Sequence, residues 1–271
     1  MKYFIILILV FLIQNSLKSQ NFVSREYDIS YSRDTNNIDH VLNETAYLFT
    51  KSNQFTVYST ENFLKRDTLF ASISKGEISR YDVIGNPAYM HVTYFPYFVS
   101  HDLQKDITKV YEANGLDYYF YEIDQKLVWN IEGDKKDSVN GFFCSTASTT
   151  FAGREYKAWF TSEIPINSGP HIFNGLPGLI VRIYDTKKHY IFTIKSVEEF
   201  RGNLTSIPFF EKKAIESNHK TVFSLREKTR INPLHSLQSS YGFDFSSNTE
   251  LKNKIKANAA AKNNPLELRV D

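Results

Sequence analysis

Side chains capable of chemistry are plentiful in this chain but dispersed. Its seven histidines, at positions 40, 91, 101, 171, 189, 219 and 235, never recur at the three- to five-residue interval that brings two imidazoles to one metal. The carboxylates Asp34 and Asp39 and the pair Glu198-Glu199 read as solvent-facing groups rather than an acid–base couple. Ser72-Ile73-Ser74-Lys75 has the form of a Ser-x-x-Lys nucleophile motif, but its Lys-Thr-Gly and Ser-Asp-Asn partners are missing. Cys144 is the single cysteine and has no histidine close in sequence to activate it, so it reads as a small buried hydrophobe. Zinc-protease, nucleophile-elbow, P-loop and dinucleotide-binding patterns are all lacking. The expectation is therefore a chain with no catalytic residue, no metal and no cofactor.

Residues suited to binding are easier to find. Tyr118, Tyr119, Phe120 and Tyr121 stand in a row, which on a strand places two aromatics on each face and requires cover from core, ligand or partner. Trp159 and Thr161 share one face of a strand leading into a Pro/Gly-rich loop, and Phe173 and Leu176 lie within that loop. These four are the candidate ligand- or partner-binding residues.

The elements that must position them repeat with period two. Tyr27, Ile29 and Tyr31 alternate with polar residues, as do Phe55 and Val57. Runs at 107–113, 116–123 and 127–131 follow, the first two separated by Asn114-Gly115; Asn140-Gly141 and Ala152-Gly153 then bracket a strand at 142–151 and open another at 154–161. Strands are expected again from Leu179 to Ile183 and from Tyr190 to Ile194. Helical patterns come late: a short one from Pro208 to Ala214, and a narrow stripe of Leu251, Ile255 and Ala259. The fold class is thus mainly β, or β-rich α+β: a curved antiparallel sheet, at its limit a half-barrel, with one or two helices near the C-terminus.

The chain has 271 residues, 15% of them aromatic, enough for a substantial core. Lys2, an apolar run from Tyr3 to Ile13 and a polar stretch ending at Ser19 have the layout of a signal peptide; the run is about half of the roughly 20 apolar residues that a membrane span needs. The expected organisation is a leader at 1–19 and one domain at 20–271, exported to the periplasm or beyond and free of the membrane after cleavage. Loss of Lys2 and Lys18 takes the net charge from +2 to zero, which removes any electrostatic basis for nucleic-acid binding.

Pro165, Pro170 and Pro177 with Gly169, Gly175 and Gly178 give residues 165–178 one defined shape. Within this loop and the strand after it, Gly175-Leu176-Pro177-Gly178-Leu179-Ile180 resembles the signature of the GLPGLI family, exported envelope proteins of unknown function in certain Gram-negative bacteria. Trp129, Gly141-Phe142-Phe143-Cys144, Ala147, Gly153-Arg154, Ala158-Trp159-Phe160-Thr161, Ile164-Pro165, Gly169-Pro170 and Phe173 also fit that family's pattern, as does the ending Asn264-Pro265-Leu266-Glu267-Leu268. Ser145-Thr146 and His171 depart from it. The resemblance implies an envelope protein of mainly antiparallel sheet, similar to the N-terminal domain of some secreted peptide N-glycanases and to half-barrel lipoprotein carriers, with genes often near those of outer-membrane transporters, which suggests envelope traffic; it implies no catalytic residues. Three functions follow as expectations: a non-catalytic binder or carrier of an apolar or carbohydrate ligand, a module docking to an outer-membrane protein or other envelope partner, and, third, a hydrolase. A cavity of a few hundred cubic ångström is required by the first.

Overall fold

In the computed structural model, the described residues are 21–270 without 52–53, 80–81, 83–85, 90, 116, 124–125, 202–212, 242–243 and 246–247. The expected leader and most of the expected helix at 208–214 lie outside them. Among the described residues, twelve strands form one sheet in the order β12-β6-β5-β4-β3-β2-β1-β11-β10-β9-β8-β7, curved and unclosed. They are β1 Asn21–Tyr31, β2 Leu42–Lys51, β3 Phe55–Thr60, β4 Tyr97–Asp102, β5 Ile107–Asn114, β6 Asp117–Glu122, β7 Asn130–Val139, β8 Phe142–Phe151, β9 Arg154–Thr161, β10 Leu179–Asp185, β11 Tyr190–Arg201 and β12 Ile215–Glu216. Every pairing is antiparallel except the short parallel contact of β12 with β6. The mainly β class with late helices is what the alternation and turns predict. Asn140-Gly141 and Ala152-Gly153 carry two consecutive positive φ values each (48° and 87°, 48° and 82°), the geometry that closes a two-residue hairpin with the twist of its strands.

Differences from expectation have local causes. The run at 127–131 is not a strand of its own, because pairing of β7 with β8 begins only at Asn130. Helix α1, Glu61–Lys75, was hidden by its sparse apolar positions: Phe63 and Leu69 are its buried hydrophobics, and its ends are set by the Thr60 cap and by Gly76 at φ 78°. Ser72 and Lys75 fall in its last turn, where exposed Lys75 pairs with Glu77 at 3.8 Å. Three late helices follow: α2 His219–Ile231, α3 Pro233–Tyr241 and α4 Thr249–Ala260. No helix among the described residues is long and apolar enough to cross a membrane.

Two hydrophobic clusters pack on the sheet. Tyr119 and Tyr121 join the main core with Tyr27, Phe95, Tyr156, Phe173, Leu176 and Tyr190; Tyr118 and Phe120 join a smaller one under α1, with Phe63, Phe98 and Tyr111. The aromatic row of β6 thus divides by strand period, two to each face.

The 162–178 loop fills the concave side. Ser168 bonds Thr56 of β3 at 2.9 Å, the His171 ring meets Tyr97 of β4 edge-on at 4.7 Å, and Asn174 donates to Thr108 of β5 at 2.9 Å. In a flat sheet β4 would lie five strand spacings, roughly 24 Å, from β10; curvature brings both halves onto one loop. Gly178, at φ 147°, lets the backbones touch: a Cβ there would stand 2.1 Å from the Thr161 carbonyl oxygen. Gly178→Ala should therefore cost about 3 kcal/mol or more in denaturant unfolding. Gly141→Ala, where nothing lies within 4 Å of an added Cβ, should cost only about 1 kcal/mol. Equal losses would contradict this account of the loop.

Candidate functional site

Arg154 begins β9 just after the Ala152-Gly153 turn and is buried at 5% exposure. Its guanidinium is used on every nitrogen: Nη1 meets Asp185 Oδ2 at 3.0 Å, Nε donates to the Leu266 carbonyl at 3.0 Å, and Nη2 donates to Asn264 Oδ1 at 2.6 Å and to the Pro265 carbonyl at 2.7 Å. The Tyr190 ring lies 5.0 Å beneath, and Tyr190 Oη donates to the Asn264 carbonyl. Asn264 completes the latch by donating from its backbone to Arg33 O at 3.0 Å and from Nδ2 to Ser32 O at 2.5 Å. The tail is thereby held on the sheet by charge-assisted bonds whose geometry only a guanidinium supplies.

This latch carries Glu267 inward to 4% exposure, where it meets α2. That helix starts at Asn218, whose side chain accepts from the Thr221 amide, and turns His219, buried Val222 and Arg226 to the sheet. Arg226 Nη2 donates to Glu267 at 2.7 Å and its Nη1 lies 3.3 Å from Glu112 of β5; His219 Nε2 lies 3.2 Å from Glu267. The His219 ring stacks on Tyr121 at 4.8 Å, and Tyr121 Oη donates weakly to Glu112 at 3.4 Å. Two buried carboxylates thus share one arginine. Burial pushes the Glu112 carboxyl above its ordinary range despite Arg226. Burial also opposes ionised Glu267, but Arg226 and His219 outweigh it and hold that carboxyl well below the ordinary range. Arg226 is the most exposed of the charged groups here, at 28% against 3–4% for the two carboxylates.

Beside this network, between β4–β6 and helices α2–α4, a cleft of about 680 Å³ opens. Its walls include the tyrosines Tyr94 and Tyr119, Leu237 and Ile255, and the polar groups Asn114, Asn258 and Arg226. Tyr94 is fixed there by stacking on Tyr31 at 5.1 Å, and its amide donates to Glu44 at 2.8 Å. His171 also lines the cleft; its φ is 55°, and burial pushes its imidazole down to about 4, so it is neutral at pH 7.

The candidates chosen from sequence lie elsewhere. Trp159 is 8% exposed on the face opposite the loop, donating to Asp137 at 2.9 Å, packed on Tyr184 at 5.1 Å and flanked by Lys157 and Arg182. Thr161 is fully buried where Gly178 crosses it, while Phe173 and Leu176 are 1% exposed in the main core. Gly175 abuts Trp129, whose indole donates to Asn174 O at 2.7 Å, and Leu179 and Ile180 are fully buried. Cys144 is buried, and burial pushes its thiol up to about 11. No group of three or more metal-ligating side chains occurs among the described residues. Reasoning from spacing missed Arg226, Glu112 and His219, which are far apart in sequence; Arg154 and Glu267 stood in quoted motifs, but nothing local joined them.

Comparison with known proteins adds a match over part of the chain and a likeness of fold. The model of a family described as a protein of unknown function (Porph_ging) matches residues 116–182, which span β6 to β10 and contain the Gly175–Ile180 motif. No curated protein matches the chain. Solved structures of PNGF-II in two crystal forms resemble it with TM-scores of 0.54 and 0.53 at 12% and 11% identity, each covering 78% of this chain. The matched region is about a third of PNGF-II's length, 33% and 34% in the two forms. At this identity the likeness is one of fold.

Two expectations follow. Arg154→Met should free the tail and cost about 3–5 kcal/mol, as when one partner of a buried pair is removed. The measurement is denaturant unfolding, with hydrogen exchange of residues 263–268 to locate the loss. Glu267, lowered in the fold, contributes stability above the ordinary glutamate value of about 4.3 and loses it as pH falls. Glu112, raised, contributes below that value and loses its contribution as pH rises. Glu267→Gln should therefore destabilise more than Glu112→Gln at pH 7, with the gap narrowing below pH 4. Equal losses at both pH values would refute the assignment.

Proposed function

We propose that this is an exported, non-catalytic binding protein of the cell envelope that holds a carbohydrate in the cleft between β4–β6 and the late helices. The observation that carries the reading is the cleft itself: several hundred cubic ångström, with tyrosine faces beside amide and guanidinium groups. Tyrosine offers an apolar face for the C–H surface of a sugar, and planar amides suit its hydroxyls. The carboxylates Glu112 and Glu267 border the cleft but are largely buried and already accept hydrogen bonds from Arg226, which favours binding over acid–base chemistry. The likeness to PNGF-II is one of fold alone, and the leader-like N-terminus with the GLPGLI resemblance supports the exported, envelope part of the reading. In this reading Thr161, Phe173 and Leu176 shape the cleft through the core, and Trp159 stiffens the outer face.

A second reading, docking to an envelope protein, draws on the β7–β8 end of the sheet, where Val128, Ile131 and Phe143 are 83%, 50% and 75% exposed. Native mass spectrometry of protein purified without detergent, followed by denaturation, separates the two. A released saccharide is expected, and Tyr119→Ala should weaken its rebinding about tenfold, or 1.4 kcal/mol. A released lipid would favour an apolar ligand, and a bare chain that binds no oligosaccharide would favour docking.

A further inference from the structure

Charges of both signs line the cleft; Asp117 and Lys228 are exposed to solvent, and the less exposed cations differ in how they are met. Arg226 is neutralised by Glu112 and Glu267, and Arg230 by Glu227 through contacts of 2.6–3.1 Å. Lys262 also lines the cleft, yet no carboxylate among the described residues lies within 4 Å of its ammonium. It follows the last turn of α4, where a cation could lean on free carbonyls, but three of them already have donors: the Ala257 and Ala259 carbonyls accept from the amides of Ala261 and Lys262, and the Ala260 carbonyl accepts from Asn263. Its charged neighbour is Arg33, and Asp34 beside Arg33 is engaged by Asn36 and Asn263. Burial, and then Arg33, hold the Lys262 ammonium below the ordinary lysine range. Arg33 and Arg230 also act on the Tyr94 hydroxyl. A half-buried cation without a carboxylate partner is a cost to the fold unless something outside the chain offsets it.

Building on the cleft as a carbohydrate site, we propose that its ligand is an acidic saccharide whose carboxylate or sulfate seats on Lys262, in the cleft that Tyr94 also lines. Lys262 then serves as the selectivity residue, while the Tyr94 and Tyr119 faces and the amides take the neutral part of the sugar. A charge-assisted bond formed inside a partly desolvated cleft discriminates strongly between an acid and its ester.

The test is calorimetric titration of the mature chain with trigalacturonate and with its methyl ester, using the native sequence, Lys262→Gln and Lys262→Arg. Trigalacturonate should bind the native protein about tenfold or more tighter than the ester. Lys262→Gln should abolish that preference while leaving the melting temperature unchanged or raised, and Lys262→Arg should keep the preference. A purely structural lysine would show the reverse pattern, with stability lost and selectivity kept, and would overturn the proposal. Equal binding of acid and ester to the native protein overturns it while leaving the carbohydrate reading intact. Binding of inorganic sulfate as tightly as the trimer overturns the saccharide half in favour of a small-anion site. Failure of both saccharides to bind removes the carbohydrate reading, and this inference with it.

Discussion

The arrangement of the whole concave side depends on one buried guanidinium. Arg154 alone reaches a carboxylate on β10, two carbonyls of the tail and the tail's asparagine side chain, with a tyrosine ring of β11 beneath it. No other side chain offers that many donors in one plane, and a lysine there would leave acceptors unmet. The cost of burying the charge is offset because the ion pair with Asp185 and the neutral acceptors satisfy it together. Once the tail is fixed, Glu267 has one place to go, and α2 is held to the sheet by Arg226 and His219.

The central loop and the tail divide the interior between them. The loop brings Ile172, Phe173 and Leu176 into the core and closes what would otherwise be an open half-barrel. The space left over lies to one side, where the tail and helices meet β4–β6. That is why the cleft is not the central cavity expected of a half-barrel carrier, and why conserving volume in the loop matters more for stability than for contact with a ligand.

Much of the fold was legible in the sequence because its signals are local. Alternation in β1, β5 and β9 and the Asn-Gly and Ala-Gly turns are read over two to eight residues, and the burial of Tyr27, Ile29, Tyr156 and Ala158 follows directly. Helix α1 escaped because its inward face includes Asp67 along with only two buried hydrophobics, although Thr60 and Gly76 marked both ends. The cleft escaped for a different reason. Arg154 meets Asn264 across 110 residues and Arg226 meets Glu112 across 114, so no spacing rule can see either pair. The density of proline and glycine at 165–178 encodes close backbone packing at Gly178.

Hydrogen exchange with and without trigalacturonate tests the central claim most directly, because it reports where a ligand sits without presuming its affinity. Protection confined to residues 94–96, α2 and the end of α4 around Lys262 is the result this account predicts. Protection on the 165–178 loop or the β7–β8 end, or none at all, would contradict it.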